Sequence, residues 1–217
     1  MLTSLQVQAI AENYSKDTKD VEGFVTLWMF LTKHTDFFGW RGKTKPNLNV
    51  ISGVTELAEK YFSSKFTKVS PSIPQTIPDE MVSVILKNFY KHPLEKLKSI
   101  QKEHQHSMAA ENMVGELLER YIDSILSKHD WVWCCGALVK HVDFIKKEGD
   151  VYRMLQIKNR DNSENSSSKA IREGTIIEHW FRTFSRTGRT NWESFPDTEL
   201  KSKLSEDGFV SFVEKYA

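Results

Sequence analysis

The chain has 217 residues, of which 39% are hydrophobic and 12% aromatic, and a formal net charge of +1. This length and composition suit one globular domain, or one domain with a helical extension. The apolar runs are far shorter than the roughly 20 residues that span a bilayer, which excludes a membrane-spanning protein. The N-terminal residues lack the basic start, apolar run and cleavage site of a secretory signal, which predicts a cytoplasmic location.

The first part of the chain is predicted to be helical, with helices near Ser4 to Ser15, Glu22 to Lys33 and Val50 to Phe62. An aromatic, glycine-containing loop, DFFGWRGKTKPN, separates the second helix from the third. We interpret its aromatic residues, Phe37, Phe38 and Trp40, as core or dimer surface rather than as platforms for stacked bases.

Three prolines in the segment PSIPQTIPDE prevent a continuous helix. Asp79 and Glu80 then supply the acidic first turn of a helix that runs toward Tyr90, and Pro93 begins another. The clearest helical pattern spans Met108 to Leu126, where apolar residues recur every three or four positions. The polar face of this last helix carries Glu111, Glu116 and Glu119.

After Asp130 the pattern changes to short runs rich in aromatic and branched residues, WVWCCG, HVDFIKK and VYRMLQIKN, which predict strands. A polar segment containing Gly149 joins the second run to the third, which favours an antiparallel hairpin. The stretch NRDNSENSSSK predicts a loop, and helices are predicted near Ile176 to Phe184 and Glu199 to Lys215. The result is an α/β protein with a small central sheet.

The two cysteines, Cys134 and Cys135, are adjacent. On a strand they point to opposite faces and are poorly placed to bridge each other. They also lack the companion Cys and His spacing of a zinc site. We therefore interpret both as buried apolar residues.

Polar residues of the predicted hairpin converge at one end. A hairpin folded about Gly149 places Asp143 opposite residue 155 or 156. Gln156 and Lys158 point to the same face of the returning strand, because strand side chains alternate. The intervening apolar residues supply the buried face.

This convergence has a chemical use. A hard cation such as Mg²⁺ takes oxygen ligands and makes its bound water acidic enough to attack a phosphodiester. Asp143 would anchor the metal, with the side-chain carbonyl of Gln156 and the backbone carbonyl of Ile157 completing its shell. Lys158 would orient the water and offset the charge that builds on the phosphoryl group. The alternative is the wet face of an ordinary surface hairpin, which the spacing alone favours.

The segment VDFI followed by LQIK resembles the core of the PD-(D/E)xK nucleases, in which an acid on one strand precedes an acid-x-lysine on the next. Val142 stands where that motif often has proline, and Gln156 stands where it usually has Asp or Glu. Many members of that superfamily bring a glutamate from the preceding helix, here ENMVGELLERYIDSIL. The resemblance therefore implies that Glu119 supplies the missing carboxylate, with Glu111 and Glu116 as alternatives. The other interpretation of these glutamates is a solvated helix face.

From Glu111 to Phe195 the sequence is similar to type II restriction endonucleases of the SinI kind. The resemblance implies a restriction-endonuclease-like core with a small mixed β-sheet flanked by helices. It also implies Mg²⁺-dependent cleavage of double-stranded DNA at a short, GC-rich palindrome, and a palindromic target favours a homodimer. Residues 106–217 would form the nuclease core and residues 1–105 a helical region for dimerisation or DNA clamping, unless the two form one continuous domain.

Polar residues after Lys158 are candidates for reading DNA, because their amide, hydroxyl and guanidinium groups suit base edges. The alternative is a solvated loop. These candidates are Arg160, Asn162, Asn165, Ser167 and Arg172. Three arginines of the helix predicted next would reach phosphates or the groove: Arg182, Arg186 and Arg189. We interpret His179 as structural or as a phosphate contact rather than as a general base.

Two other functions are open at this point. A structure-specific repair or junction nuclease would share the core and lack a sequence code, which the polar segment after Lys158 argues against. A DNA-binding protein without catalytic activity would explain why Gln156 replaces a carboxylate.

Overall fold

The computed structural model describes residues 2–161 and 176–217, and within them the chain forms six α-helices and a four-stranded sheet. The helices are α1 (Ser4–Ala11), α2 (Thr18–Lys33), α3 (Ile51–Phe66), α4 (Glu80–Asn88), α5 (Leu94–Leu126) and α6 (Glu206–Tyr216). The strands are β1 (Trp131–Trp133), β2 (Phe144–Glu148), β3 (Val151–Arg160) and β4 (Ile177–Thr183). In the described part of the chain, no helix combines the length and apolar character that a membrane span needs.

Contacts divide the chain into two compact units. One contains the described residues of Met1–Thr67 and Leu118–Ala217, and the other is Lys68–Leu117. The first unit holds the sheet, helices α1 to α3 and the C-terminal helix. The assignment of separate roles to residues 1–105 and 106–217 stays a prediction.

The sheet has the strand order β1-β2-β3-β4, with the first three strands antiparallel and β4 parallel to β3. A two-residue turn joins β2 to β3, and Gly149 occupies it with φ of +62°. A glycine at positive φ is what tight hairpin turns of this length require. The mixed sheet with flanking helices confirms the fold class predicted from the sequence.

The helix predicted near Ile176 to Phe184 is wrong, because Ile177–Thr183 forms strand β4. Branched and aromatic side chains are frequent in this segment, as in strands generally. Only Trp180 and Thr183 of β4 are buried, at 2% and 8% exposure. A run of seven residues is too short for apolar spacing to separate a helix from a strand, and pairing with β3 decides between them.

Three predicted helices have different ends in the structure. The helices predicted from Pro93 and from Met108 are one helix, α5, of 33 residues. The C-terminal helix begins at Glu206 rather than near Glu199, because Ser205 caps it by accepting a hydrogen bond from the N–H of Gly208 at 3.0 Å. A serine at this position satisfies a backbone donor that the first turn leaves open.

The C-terminal third of α5 is fixed to α3 by charged side chains. The guanidinium of Arg120 donates to the carbonyls of Ser64 and Lys65 at 2.9 and 2.8 Å, which closes the end of α3. One helical turn later, Asp123 lies 3.2 Å from the ammonium of Lys65. These contacts hold the stretch of α5 that carries Glu119.

Aromatic packing joins the N-terminal helices to the sheet. Phe30 of α2 is fully buried and meets the ring of Tyr152 of β3 edge-on, with centroids 5.1 Å apart. On β1, Trp131 and Trp133 are 2% exposed. The prediction that both cysteines are buried and unbridged is confirmed, since Cys134 and Cys135 are free thiols at 4% and 3% exposure.

Candidate active site

Asp143 lies at the end of the hairpin, immediately before β2, and three hydrogen bonds fix it. Its N–H donates to the carbonyl of Leu155 at 2.9 Å, and its carbonyl accepts from the N–H of Cys134 at 2.8 Å. Its carboxylate oxygen Oδ2 accepts from the N–H of Ile157 at 2.6 Å. The carboxylate therefore rests against β3 between Gln156 and Lys158.

Gln156 and Lys158 are half-buried and share one face of β3, because side chains alternate along a strand. The opposite face carries Leu155 and Ile157, which are 0% and 8% exposed. In a strand, the N–H and the carbonyl of one residue point to the same side. The N–H of Ile157 points toward the end of β2, where it meets Asp143, so the Ile157 carbonyl points there too. This end of the hairpin thus combines a carboxylate, an amide and a lysine.

The electrostatic environment of Asp143 is unusual for a carboxylate. Burial raises its pKa from 3.8 to about 6, against the lowering effects of the Ile157 N–H and the positive charge of Lys158. Burial disfavours the charged form because the carboxylate loses its hydration. A carboxylate in this condition gains from any further cation placed beside it, and such groups are frequent at functional sites.

Glu119 is held near the same place by Trp133. The indole N–H of Trp133 donates to Oε2 of Glu119 at 2.8 Å. Burial raises the pKa of the Cys134 thiol well above its usual value, and the negative charges of Asp143 and Glu119 add to the effect. Cys134 follows Trp133 in the chain and donates its N–H to the Asp143 carbonyl, so Glu119 and Asp143 are bonded to consecutive residues.

The two alternative glutamates, Glu111 and Glu116, lie earlier on α5, within Lys68–Leu117. Glu111 is exposed and Glu116 half-buried. The hydrogen bond from the Trp133 indole ties Glu119 to the end of β1, next to Cys134.

The donor set fits a hard divalent cation. Carboxylate and carbonyl oxygens are the ligands that Mg²⁺ prefers, and it commonly keeps several waters. Among the described residues, no cluster of three or more His, Cys, Asp and Glu side chains could hold a metal. A metal here would therefore depend on two carboxylates, Asp143 and Glu119, together with the carbonyl oxygens of Gln156 and Ile157.

His179 enters the site through the pairing of β4 with β3. It is the Cα partner of Gln156, and Phe181 is the partner of Lys158. His179 is exposed. The sequence predicts a helix for this segment, in which residue 179 has no fixed relation to β3, so the pairing of His179 with Gln156 was not predicted.

The predicted DNA-reading residues fall in three places. Asn162, Asn165, Ser167 and Arg172 lie outside the described residues. Arg160 is exposed at the C-terminal end of β3, where it pairs with Thr183. Arg186 and Arg189 are exposed in the turn after β4, and the guanidinium of Arg189 lies 4.8 Å from the ring centroid of Phe184. Arg160 and this turn thus lie at the same end of two neighbouring parallel strands.

Arg182 has different surroundings. It is half-buried, its Nε donates to Oδ1 of Asn159 at 2.9 Å, and it forms an ion pair with Glu206. Its guanidinium also lies 5.3 Å from the ring centroid of Phe209. These contacts hold α6 to the sheet, and a contact of Arg182 with DNA stays a prediction.

A mixed four-stranded sheet flanked by helices is the architecture of a restriction-endonuclease-like core. The family model of the SinI restriction endonuclease matches residues 7–217, and the chain belongs to this family. The chain is 47% identical over 176 residues to the type II restriction enzyme SinI of Salmonella infantis, covering 80% of this chain and 76% of that protein. It is 46% identical over 162 residues to the type II restriction enzyme Eco47I of Escherichia coli, covering 74% and 70%.

The resemblance noted in the sequence is therefore confirmed at the level of the family. The match also includes most of the N-terminal helices, which the sequence patterns alone left unassigned. As a restriction endonuclease, the protein acts on DNA.

Proposed function

We propose that this protein is a Mg²⁺-dependent type II restriction endonuclease of the PD-(D/E)xK kind. It hydrolyses phosphodiester bonds in both strands of double-stranded DNA at a short, palindromic, GC-rich site. The observation that carries the proposal is the half-buried Asp143, whose carboxylate accepts a hydrogen bond at 2.6 Å from the backbone N–H between Gln156 and Lys158.

Each residue of the site has a role in this reaction. Asp143 and Glu119 supply the negative charge that binds the metal, and the carbonyls of Gln156 and Ile157 supply neutral oxygens. Bound Mg²⁺ would provide an acidified water and polarise the phosphoryl oxygens. Lys158 positions the attacking water and stabilises the negative charge that develops on the phosphoryl group.

Sequence recognition is assigned to the polar residues that follow Lys158 and to the turn after β4. Arginine can contact guanine O6 and N7 with two hydrogen bonds, which suits Arg160, Arg186 and Arg189 for a GC-rich target. All three are exposed, near the C-terminal ends of β3 and β4. Asn162, Asn165, Ser167 and Arg172 follow β3 in the sequence and remain candidates for the same task.

A palindromic target favours a homodimer, and helix α4 supports one. Met81, Ile85 and Phe89 recur every four residues along one side of this region and are 58%, 43% and 79% exposed. No residue of α4, all of which the structure describes, is buried. An apolar stripe of this kind normally faces a core or a partner.

The size of this surface fits a second copy of the chain. Large exposed apolar side chains continue on both sides of the stripe, at Ile73, Ile77, Val82, Val84, Tyr90 and Leu94. Aromatic side chains carry roughly 150 to 250 Å² each and aliphatic ones somewhat less, so the set presents on the order of 1,000 Å². A stable interface needs about 800 Å² from each partner. We assign this set, termed the α4 apolar surface, to the dimer interface.

The proposed activity is tested by incubating the purified protein with phage DNA and Mg²⁺. Discrete, reproducible fragments are expected, and sequencing their ends gives the recognition site. Asp143→Ala should abolish cutting and retain DNA binding, whereas Asp150→Ala, which changes an exposed acid in the hairpin turn, should cut normally.

Absence of cutting with every divalent metal would refute catalysis and leave the non-catalytic alternative. Cutting only of branched or nicked substrates would instead favour the structure-specific nuclease. Retained cutting by Asp143→Ala would refute the assigned site.

A further inference from the structure

The loop after α2 is attached directly to the segment that leads into the active site. The N–H of Gly39 donates to the carbonyl of Leu138, and the N–H of Lys140 donates to the carbonyl of Phe37, each at 2.8 Å. Phe38 and Val139 form an isolated antiparallel bridge between these bonds. The loop is therefore fixed to residues 138–140, three residues before Asp143.

The close approach of the two segments depends on a glycine. A Cβ atom at Gly39 would lie 2.5 Å from the backbone oxygen of Ala137, closer than a side chain tolerates. Two lysines also make contacts where the loop meets residues 138–140. The Lys45 ammonium lies 5.2 Å from the ring centroid of Phe38, and the Lys140 ammonium donates to the carbonyl of Asp36 at 3.2 Å. The position of the loop is thus set by backbone and side-chain contacts together.

Basic side chains concentrate at this junction. Arg41, Lys43, Lys45 and Lys140 are exposed, and Lys60 of α3 is exposed beside them. Trp40, Arg41 and Lys60 line one cavity of about 260 Å³ together with Gly136 and Leu138. Asp36 is the one acid in residues 36–45 of the sequence, against three basic residues. We call the set of Arg41, Lys43, Lys45, Lys60 and Lys140 the basic junction.

We propose that the basic junction binds the phosphate backbone of duplex DNA beside the bond that is cut. This inference rests on the proposed function, because it takes DNA as the substrate at Asp143. Three residues of extended chain span at most about 10 Å, so the backbone of Lys140 stays within that reach of Asp143. A duplex seated at the active site brings several phosphates into this range, since one strand places a phosphate about every 3.4 Å along the helix axis.

The chemistry of the junction favours phosphates over bases. Four of its five members are lysines, which act as flexible point charges, whereas bidentate contacts to bases are typical of Arg, Asn and Gln. Phosphate contacts position a duplex without reading its sequence. The basic junction is therefore expected to set affinity and leave the recognition site unchanged.

The test compares Lys43→Glu/Lys45→Glu with a control that carries the same charge change, Lys147→Glu/Lys215→Glu. Lys147 and Lys215 are exposed, the first near the turn of the hairpin and the second at the end of α6. Binding of a fluorescent 30-base-pair duplex of random sequence is measured in EDTA across a salt series. Lys43→Glu/Lys45→Glu should bind at least about tenfold more weakly than the control at 0.1 M salt. The slope of log K against log salt should also be less steep by about 2 for this variant.

Cleavage of phage DNA gives the second measurement. The Lys43→Glu/Lys45→Glu enzyme should yield the wild-type fragments at a higher enzyme concentration, and Lys43→Gln/Lys45→Gln should show a smaller effect in the same direction. If Lys43→Glu/Lys45→Glu still cuts DNA and has the affinity and salt slope of the control, the proposal is overturned. A fragment pattern that differs from that of the wild type would also overturn it. Failure of the wild-type protein to cut any DNA would instead refute the proposed function.

Discussion

Asp143 is a half-buried acid whose negative charge is only partly balanced by its neighbours. One backbone donor and one lysine favour its charged form, yet its pKa stands at about 6 because burial outweighs them. The site therefore gives up some stability of the metal-free fold in exchange for a strong attraction to a cation. Such a trade is common where function requires a strained or charged group.

The first prediction concerns the pH dependence of stability in EDTA. The folded-state pKa of about 6 exceeds the ordinary 3.8, so the stability that Asp143 contributes is full below pH 3.8 and is lost as pH rises through about 6. Asp143→Asn keeps an oxygen for the Ile157 N–H and removes the charge. At pH 8 its free energy of unfolding should exceed that of wild type by up to about 2 to 3 kcal/mol.

Urea denaturation at pH 8 and pH 4 measures this difference, which should disappear at pH 4. Asp150→Asn, in the exposed turn, should show no such pH-dependent gain. An Asp143→Asn variant that is less stable than wild type at pH 8 would contradict the electrostatic account.

The second prediction separates the glutamates of α5. Glu119→Gln keeps an acceptor for the Trp133 indole and removes one charge from the proposed metal shell. The Mg²⁺ concentration for half-maximal cleavage should rise by roughly 10- to 100-fold. Glu116→Gln is the matched control, and a larger effect there would move the assignment to Glu116.

At the scale of elements, the hairpin was predictable and its neighbours were less so. The positions of Asp143, Gln156 and Lys158 follow from a glycine turn and a period of two, which are local properties of the sequence. The identity of β4 was not predictable, because it depends on pairing with a strand more than twenty residues away in the chain. The same holds for the Trp133 bond to Glu119, which joins two elements through side chains that no periodicity specifies.

The third prediction tests how α5 is held in place. Arg120 donates to the carbonyls of Ser64, Lys65 and Thr67 at the end of α3. Arg120→Met keeps an apolar stem and removes these charged bonds, so the free energy of unfolding should fall by about 2 to 3 kcal/mol. Chemical denaturation measures the change, with Lys128→Met at an exposed position as the control. A change of less than about 0.5 kcal/mol would show that the bonds contribute little.

At the scale of the whole molecule, two surfaces were beyond the reach of sequence patterns. The basic junction forms because Phe38 meets Val139, about a hundred residues later in the chain. The α4 apolar surface is readable as an amphipathic helix, but its exposure is a property of the folded chain alone. From sequence patterns the first segment is predictable only as a loop and the second only as a helix.

The fourth prediction concerns assembly. Ile85→Asp/Phe89→Asp places two charges in the α4 apolar surface and should convert a dimer to a monomer in sedimentation experiments at micromolar concentration. Double-strand cutting should fall with it, because both copies are needed at a palindrome. Leu5→Asp is the control, since Leu5 is 76% exposed on α1. A dimer that survives the double change would place the interface elsewhere.

The hydrogen bond from the Ile157 N–H to the Asp143 carboxylate also bears on aggregation of the protein. Strand β3 continues for five residues past Leu155, the last of its residues that pairs with β2, so on this side the stretch has no partner strand among the described residues. The Asp143 carboxylate occupies one of its backbone donors. Exposed strand edges promote aggregation, and a side chain that covers one protects against it. For crystallising an inactive complex with DNA, Asn at position 143 is therefore a better choice than Ala, because it keeps the edge covered.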